Sequence, residues 1–398
     1  FATLLDILLL FTKKNAIQSR RILPEKLSNG DENEIQLRIV SSYPFKTYIR
    51  VIDELPEQLQ VRNQEFKLET NAGGEQSIRY NVYPQKRGDY HFGDIHAFCS
   101  TQLGLVERRN TTKAAASSMV YPSFIQMKKY ELLAITYKLQ DEGIKKVRRI
   151  GQNKEFEQIK EYVVGDDFRT INWKATARTT RLMVNTYQDE KSQQVYSIIN
   201  KGRIMKMPFD GMTLLDYAIN ASLAISNIAL KKDDKPGLIT FQHNIGTVLP
   251  ASKRSAQIRY FMDLLYREKS AFKETDYSKL YSLVRSKINK RSLLLMFTNF
   301  ESLSTMQQQL PFLRKIAANH LLVCIMFENT ELDELIHMPI RTLENIYTKS
   351  IAEKLAYEKK QITKELNKAG IYTILTKPKD LTINTVNKYL EIKARGII

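Results

Sequence analysis

The sequence predicts two folded parts in series, an all-β sandwich and then a mainly parallel, doubly wound α/β domain. Three observations lead there. Residues 17–122 run as short segments of alternating polar and apolar side chains punctuated by turns, and from Gln194 onward unbroken apolar runs alternate with amphipathic helical stretches. The chain of 398 residues, 43% hydrophobic and 26% charged, is long enough to bury a core in each part.

In the first part, residues 34–40 (Glu-Ile-Gln-Leu-Arg-Ile-Val) alternate as a half-buried strand should, and residues 47–52 repeat the pattern after a turn at Ser42, Tyr43 and Pro44. Further strands are expected at 65–70, 76–82, 93–100 and 116–121, with turns at Asn29-Gly30-Asp31, Gly73-Gly74 and Arg87-Gly88-Asp89. Six or more short strands with polar turns predict an immunoglobulin-like β-sandwich over 17–125, a spacer or docking module. A helical tendency near 130–147 and the basic run at Lys145, Lys146, Arg148 and Arg149 place a linker and junction over 126–160.

In the second part, strands are expected at 195–199, 237–241, 292–298, 321–327 and 372–375. Helices are expected at 211–231, 254–267, 278–289, 306–318, 348–369 and 381–394. Continuous apolar strands between amphipathic helices imply a sheet covered on both faces.

Residues 1–11 are strongly apolar, yet as a helix they rise only about 17 Å against a hydrocarbon core of roughly 30 Å. A short helix docked on the next domain would explain them. With Lys13, Lys14, Arg20 and Arg21 following, residues 1–16 are read instead as the end of a transmembrane helix with a cytoplasmic cationic flank.

Sixty-one Lys and Arg against 43 Asp and Glu give a net charge of +18, which suits a membrane surface, a nucleic acid or a well-solvated exterior. No interleaving of basic and aromatic residues marks a nucleic-acid platform, so nucleic acid is not the expected partner, and polyanion binding stands as the alternative function. Cys99 and Cys324 fall in different predicted domains, which suits a reducing compartment. No phosphate loop, dinucleotide fingerprint, His-Glu-x-x-His or Cys-x-x-Cys occurs, and the five histidines are scattered. Neither Asp166 with Asp167 nor Asp189 with Glu190 projects both carboxylates to one side. The sequence therefore predicts no enzyme, no cofactor and no metal.

The most unusual chemistry lies at Gly165, Asp166, Asp167, Arg169, Ile171, Trp173, Ala177 and Arg178, where two acids follow a glycine and the sole tryptophan stands among cations. A surface turn and a short helix, with Asp166 or Asp167 as N-cap and Trp173 as a buried anchor, would account for it locally. The run Gly-Asp-Asp-x-Arg-x-Ile-x-Trp-x-x-x-Ala-Arg resembles the signature of the domain-of-unknown-function family 58. The resemblance implies a von Willebrand factor A-like domain over 161–398 and two transmembrane helices ahead of the soluble part. It also implies the cytoplasmic face of a bacterial inner membrane and protein partners, among them a MoxR-type AAA+ ATPase. Gly165, Asp166, Asp167, Arg169, Trp173 and Arg178 would then form an interdomain latch or a docking surface.

The same resemblance implies a metal-ion-dependent adhesion site built from an Asp-x-Ser-x-Ser loop, a threonine and a later aspartate. Here the loop reads Asn200-Lys201-Gly202-Arg203-Ile204, Thr275 matches the threonine, and Asn299 stands at the aspartate position. Two amides cannot offset a divalent charge, and Lys201 and Arg203 add cations. Asn200, Gly202, Ile204, Thr275 and Asn299 are thus expected to form a degenerate site, with Arg203 available to a partner's carboxylate.

Overall fold

A computed structural model describes residues 2–14, 16–61, 64–140, 154–164, 166, 168–179, 181–189, 192–270, 273–337 and 343–397. The basic run at 145–149, Gly165, Asp167 and Glu190 lie outside them. The chain divides into two units, one comprising Phe1–Gln126 with Pro208–Met212 and Met262–Glu268, the other the remainder.

In the first unit, helix α1 (Ala2–Phe11) precedes β1 (Ile17–Ile22), β2 (Lys26–Ser28), β3 (Asn33–Ser41), β4 (Thr47–Asp53), β5 (Glu65–Thr70), β6 (Glu75–Val82), β7 (Gly88–Phe92), β8 (Ile95–Ser100), β9 (Arg108–Thr112) and β10 (Ala116–Tyr121). They form sheets of order β1-β3-β6, β5-β4-β8-β9 and β2-β10-β7. Strict alternation of buried and open positions along β3 and β4 turns Ile35, Leu37, Ile39, Ile49 and Val51 into one core with Leu27, Tyr90, Phe92 and Val120.

Strands β1, β2, β7 and β9 were not expected from the pattern, because polar and basic residues dominate them; β9, Arg-Arg-Asn-Thr-Thr, buries none of its side chains fully. Arg87-Gly88-Asp89 is not the turn that its composition predicts. Gly88 opens β7 at φ +134°, a conformation that favours glycine, and Arg87 donates to the carbonyls of Leu265 and, at 2.8 Å, Glu268. Asp89 accepts from the Tyr266 hydroxyl at 2.6 Å.

Arg21 does not belong to a cationic flank. Residues 17, 19 and 21 of β1 share its inward face, and the Arg21 side chain is 2% exposed beside an equally buried Asp53. Its guanidinium also donates to Ala114 O at 2.8 Å and Gly93 O at 3.1 Å, while the Tyr80 hydroxyl donates to Asp53.

Helix α1 is fastened to the sandwich at two points. The buried Asp6 carboxylate accepts from the amides of Leu105 and Val106 at 3.1 and 3.0 Å, and the Leu10 carbonyl accepts from the Tyr43 hydroxyl at 2.8 Å. Leu4, Leu8 and Phe11 face outward. Among the described residues no helix is long and apolar enough to cross a membrane.

The second unit takes up most of α2 (Phe124–Gln140), then β11 (Lys154–Glu161), α3 (Trp173–Thr179), β12 (Met183–Asp189), β13 (Gln194–Asn200), β14 (Pro208–Phe209), β15 (Met212–Thr213), α4 (Leu214–Lys231), β16 (Lys235–Phe241), β17 (Ile245–Leu249), α5 (Gln257–Arg267), α6 (Tyr277–Lys287), β18 (Leu293–Phe297), α7 (Leu303–Asn319), β19 (Leu321–Phe327), α8 (Thr330–His337), α9 (Leu343–Lys368), β20 (Tyr372–Thr376) and α10 (Leu381–Ala394); the bounding pieces Pro208–Met212 and Met262–Glu268 count with the first unit. Its main sheet has the order β17-β16-β13-β18-β19-β20, parallel except for the β17 edge. Every side chain of β18 and β19 is buried, the composition that a sheet covered on both faces demands. Helix α4 starts at Leu214, three residues later than its apolar periodicity suggests. Thr213 and Asp216 form a reciprocal capping box there, each side chain accepting from the other's backbone amide.

Candidate functional site

The order of the main sheet reverses between β13 and β18. In open α/β sheets this switch point, at the carboxyl ends of the strands, is where chain connections diverge and leave a crevice for ligands. Asn200 is the last residue of β13, and Thr298 and Asn299 directly follow β18.

Around that point the chain builds a closed network of neutral groups. Asn200 Oδ1 accepts from the Gly202 amide at 2.8 Å and from Thr275 Oγ1 at 2.9 Å, and Asn200 Nδ2 donates to Thr298 Oγ1 at 3.0 Å. The Tyr277 hydroxyl, fully buried at the start of α6, shares a 2.7 Å hydrogen bond with Thr298. Three of the five anticipated positions, Asn200, Gly202 and Thr275, are therefore in direct contact. A β-carbon on Gly202 would stand 2.2 Å from Thr275 Oγ1, so only glycine lets the loop approach this closely. Ile204 lies in a short 3-10 turn (Arg203–Lys206), half-buried, with no polar group to contribute.

Asn299 is committed elsewhere. Its Oδ1 accepts from the Phe300 amide at 3.1 Å and from Lys359 Nζ at 2.7 Å, and the same ammonium donates to the Phe300 carbonyl. Burial pushes the Lys359 amine down to about 8, only partly opposed by Glu358, Glu301 and Cys324. A cation does sit beside Asn299, but it comes from α9, some sixty residues further along the chain, and not from Lys201 or Arg203. Nothing in the local pattern at Asn299 could have signalled it; the clue is a lysine at a helical position whose neighbours Ile362 and Leu366 are buried.

Arg203 pairs with Glu301 at 3.0 Å, both side chains about half exposed. Such a pair is worth at most about 1 kcal/mol and exchanges readily with an incoming carboxylate. Lys201 is buried against the sheet, its Nζ 2.8 Å from where a β-carbon on Gly246 would lie.

A divalent ion does not fit this set. Its oxygen donors are two amides and three hydroxyls already hydrogen-bonded to one another or to an ammonium, with no carboxylate among them. Among the described residues no group of three or more His, Cys, Asp and Glu could hold a metal either. Titration calorimetry with Mg²⁺ or Mn²⁺ is expected to give no micromolar site; such a site abolished by Thr275→Ala would overturn this.

The signature stretch forms a second structure. Strands β11 and β12 pair antiparallel from Lys154 with Asp189 to Glu161 with Met183, so a boundary at residue 161 cuts the end of a strand. Between them lie a turn, a 3-10 segment (Phe168–Thr170) and α3. The cap of α3 is Asn172, not Asp166, and its Oδ1 accepts from the Ala175 amide at 3.0 Å. Asp166 instead accepts from Lys160 at 2.9 Å and the Val163 amide at 3.1 Å, contacts that hold its carboxyl below the usual carboxylate range. Trp173 is no buried anchor: it is 70% exposed, in company with Phe168 at 69% and Val164 at 95%. The small hairpin has its own anchors in Val184, which is buried, and in the bonds from Asn172 Nδ2 to Asn185 Oδ1 and from the Met183 amide to Thr176 Oγ1. Gly165 and Asp167 lie outside the described residues.

Comparison with known proteins bears on both structures. Over 209 residues the chain is 22% identical to the uncharacterized protein YeaD of Bacillus subtilis (strain 168), covering 50% of this chain and 52% of that one. The chain thus spans about half the length of the curated relative it matches. Among solved structures, the PapD-like domain 7 of human CEP192 is similar over 27% of this chain and 87% of its own, at 12% identity and a TM-score of 0.21. The CARDB domain of PF1109 from Pyrococcus furiosus, described in complex with di-metal ions, is similar over 26% of this chain and 91% of its own, at 16% identity and a TM-score of 0.20. Residues 158–375, more than half of the chain and containing both the signature hairpin and the switch-point network, match the family described as protein of unknown function DUF58, and the chain belongs to that family.

Proposed function

We propose that this chain is a non-enzymatic protein-interaction scaffold tethered to a bacterial inner membrane, with both units on the cytoplasmic side. Its α/β unit is read as von Willebrand factor A-like and its β unit as an immunoglobulin-like spacer. The observation that carries the reading is the switch-point network, where neutral hydrogen bonds and the Lys359 ammonium occupy the place at which such a domain would coordinate an ion. A surface of that kind recognises a partner without a metal bridge. Arg203, in its exchangeable pair with Glu301, is the cation best placed to meet an acidic side chain.

The partner proposed is a MoxR-type AAA+ ATPase, in a system that matures or remodels proteins near the membrane. The sequence resemblance supports it, and the half-exposed Arg203 is consistent with an acidic partner surface. Tethering would run through the apolar N-terminal segment, of which the outward-facing Leu4, Leu8 and Phe11 of α1 are part.

The test is a pull-down of a MoxR-type AAA+ ATPase with wild type and Arg203→Glu. The variant should keep its melting temperature, because the pair it breaks is exposed, and should lose most of the captured ATPase. Equal capture by the two proteins, or capture that depends on added Mg²⁺, would refute the reading.

A further inference from the structure

We infer that the first half of α9 is a seam at which two copies of this chain pair. Its position follows from the length of the helix. Lys359 meets Asn299 and Phe300 just past the carboxyl end of β18, so α9 crosses that rim of the sheet near Lys359. From there to Lys368 it descends about 14 Å, close to the length of the neighbouring β20. Residues 343–358 therefore continue about 22 Å past the ends of the strands.

Below the rim the helix buries Ile362 and Leu366 in the core. Tyr347, Ile351 and Leu355, one helical turn apart, carry the same stripe beyond it, but there Tyr347 is 65% and Ile351 59% exposed. Helix α8 packs against α9 and Ala352 is buried, so the stripe is the face that this contact leaves open.

The charges beside the stripe identify the occupant as a second copy. Glu344 and Lys354 are both exposed, and ten residues of helix hold them about 15 Å apart, too far to pair within one chain. When two α9 helices lie antiparallel with Tyr347 of one opposite Ile351 of the other, Glu344 of each copy stands opposite Lys354 of its mate, twice over by symmetry. Competing arrangements set like charges together. Parallel helices in register would place Glu344 against Glu344 and Lys354 against Lys354, and an antiparallel register centred on Ile351 would place Glu344 against Glu358. A single helix pair covers less than the roughly 800 Å² per partner of a standard interface, so the dimer should dissociate on dilution. The seam does not depend on recognition at the switch point, and either can fail alone.

Sedimentation velocity of the full chain over a dilution series is expected to show monomer and dimer in exchange. Lys354→Glu should weaken the dimer about tenfold or more, because by symmetry it turns two attractive pairs into two repulsive ones. Glu344→Lys should do the same, and the two changes together should restore the dimer, all with an unchanged circular dichroism spectrum. Orientation is read from crosslinking. Both native cysteines are buried, so Glu344→Cys with Lys354→Cys should give disulfide-linked dimers under mild oxidation, and neither single variant should. A chain that stays monomeric at every concentration would overturn the proposal. So would a dimer that ignores the single reversals, which would move the contact to another surface such as α1, or one that the double reversal does not restore. Crosslinking by a single-cysteine variant would mark a parallel pair, and a monomer that loses a captured ATPase on Ile351→Lys would give the stripe to a different protein; either result also overturns it.

Discussion

Replacing Asp53 by alanine should lower the unfolding free energy by about 3–5 kcal/mol, the cost of removing one partner from a buried ion pair. The carboxylate accepts from the Arg21 guanidinium and the Tyr80 hydroxyl, and both residues at the ion pair are 2% exposed. Without it, the guanidinium keeps the carbonyls of Ala114 and Gly93 but has no counter-charge, and the phenol loses its acceptor. In the native protein burial and the neighbouring Asp53 push the Tyr80 phenol far above its ordinary range, so it stays a neutral donor to that carboxylate. The matched double replacement Arg21→Met with Asp53→Leu should cost much less, because it removes the stranded charge together with its partner. Equilibrium denaturation followed by tyrosine signals checks both, since the sole tryptophan lies in the other unit. A loss under about 1 kcal/mol for Asp53→Ala would place this pair with ordinary surface bridges.

That ion pair also marks a limit of sequence reading. Arg21 follows Lys13, Lys14 and Arg20, and by composition the four read as one flank; only the period-two alternation of β1, itself masked by Gln18, Ser19 and Arg20, turns Arg21 inward. The strands whose composition advertises them, β3, β4, β18 and β19, were all legible because burial on one or both faces imposes an apolar pattern. The edge strand β17, which alternates between half-buried and exposed positions, and the β11–β12 hairpin, with only a small core of its own, carry no such imprint. Asn200, Gly202 and Thr275 could be anticipated from a resemblance over the loop, and they do meet. Lys359, Thr298 and Tyr277 could not, because they join the network from elements far apart in the sequence, and long-range proximity leaves no local trace. Trp173 failed in the opposite direction: a lone tryptophan at the start of a short helix is ordinarily an anchor, and here the hairpin buries Val184 instead.

The remaining large effect belongs to Lys359, and its sign follows from burial. An unfolded lysine titrates near 10.4, whereas in the fold this amine is pushed down to about 8 because desolvation disfavours the ammonium. Below pH 8 both states hold the proton, and the cost of burying the charge is fully present. Between 8 and about 10.4 the native state releases the proton while the unfolded chain keeps it, so stability rises with pH through that window and then levels off. Relative to Lys359→Met, wild type should therefore gain about 2 kcal/mol between pH 7.5 and 9.5, an order-of-magnitude figure for a shift of this size. Measuring both proteins by denaturant titration at each pH cancels the titration of other groups. The variant should also start lower than a bare loss of charge would suggest, since Asn299 Oδ1 and the Phe300 carbonyl lose their donor. A flat difference across the window would mean that water reaches the amine and that the fold holds no buried cation at this point. A falling difference would mean that the ammonium is net stabilising there, and that the network at the switch point depends on its charge in the way an adhesion site depends on its ion.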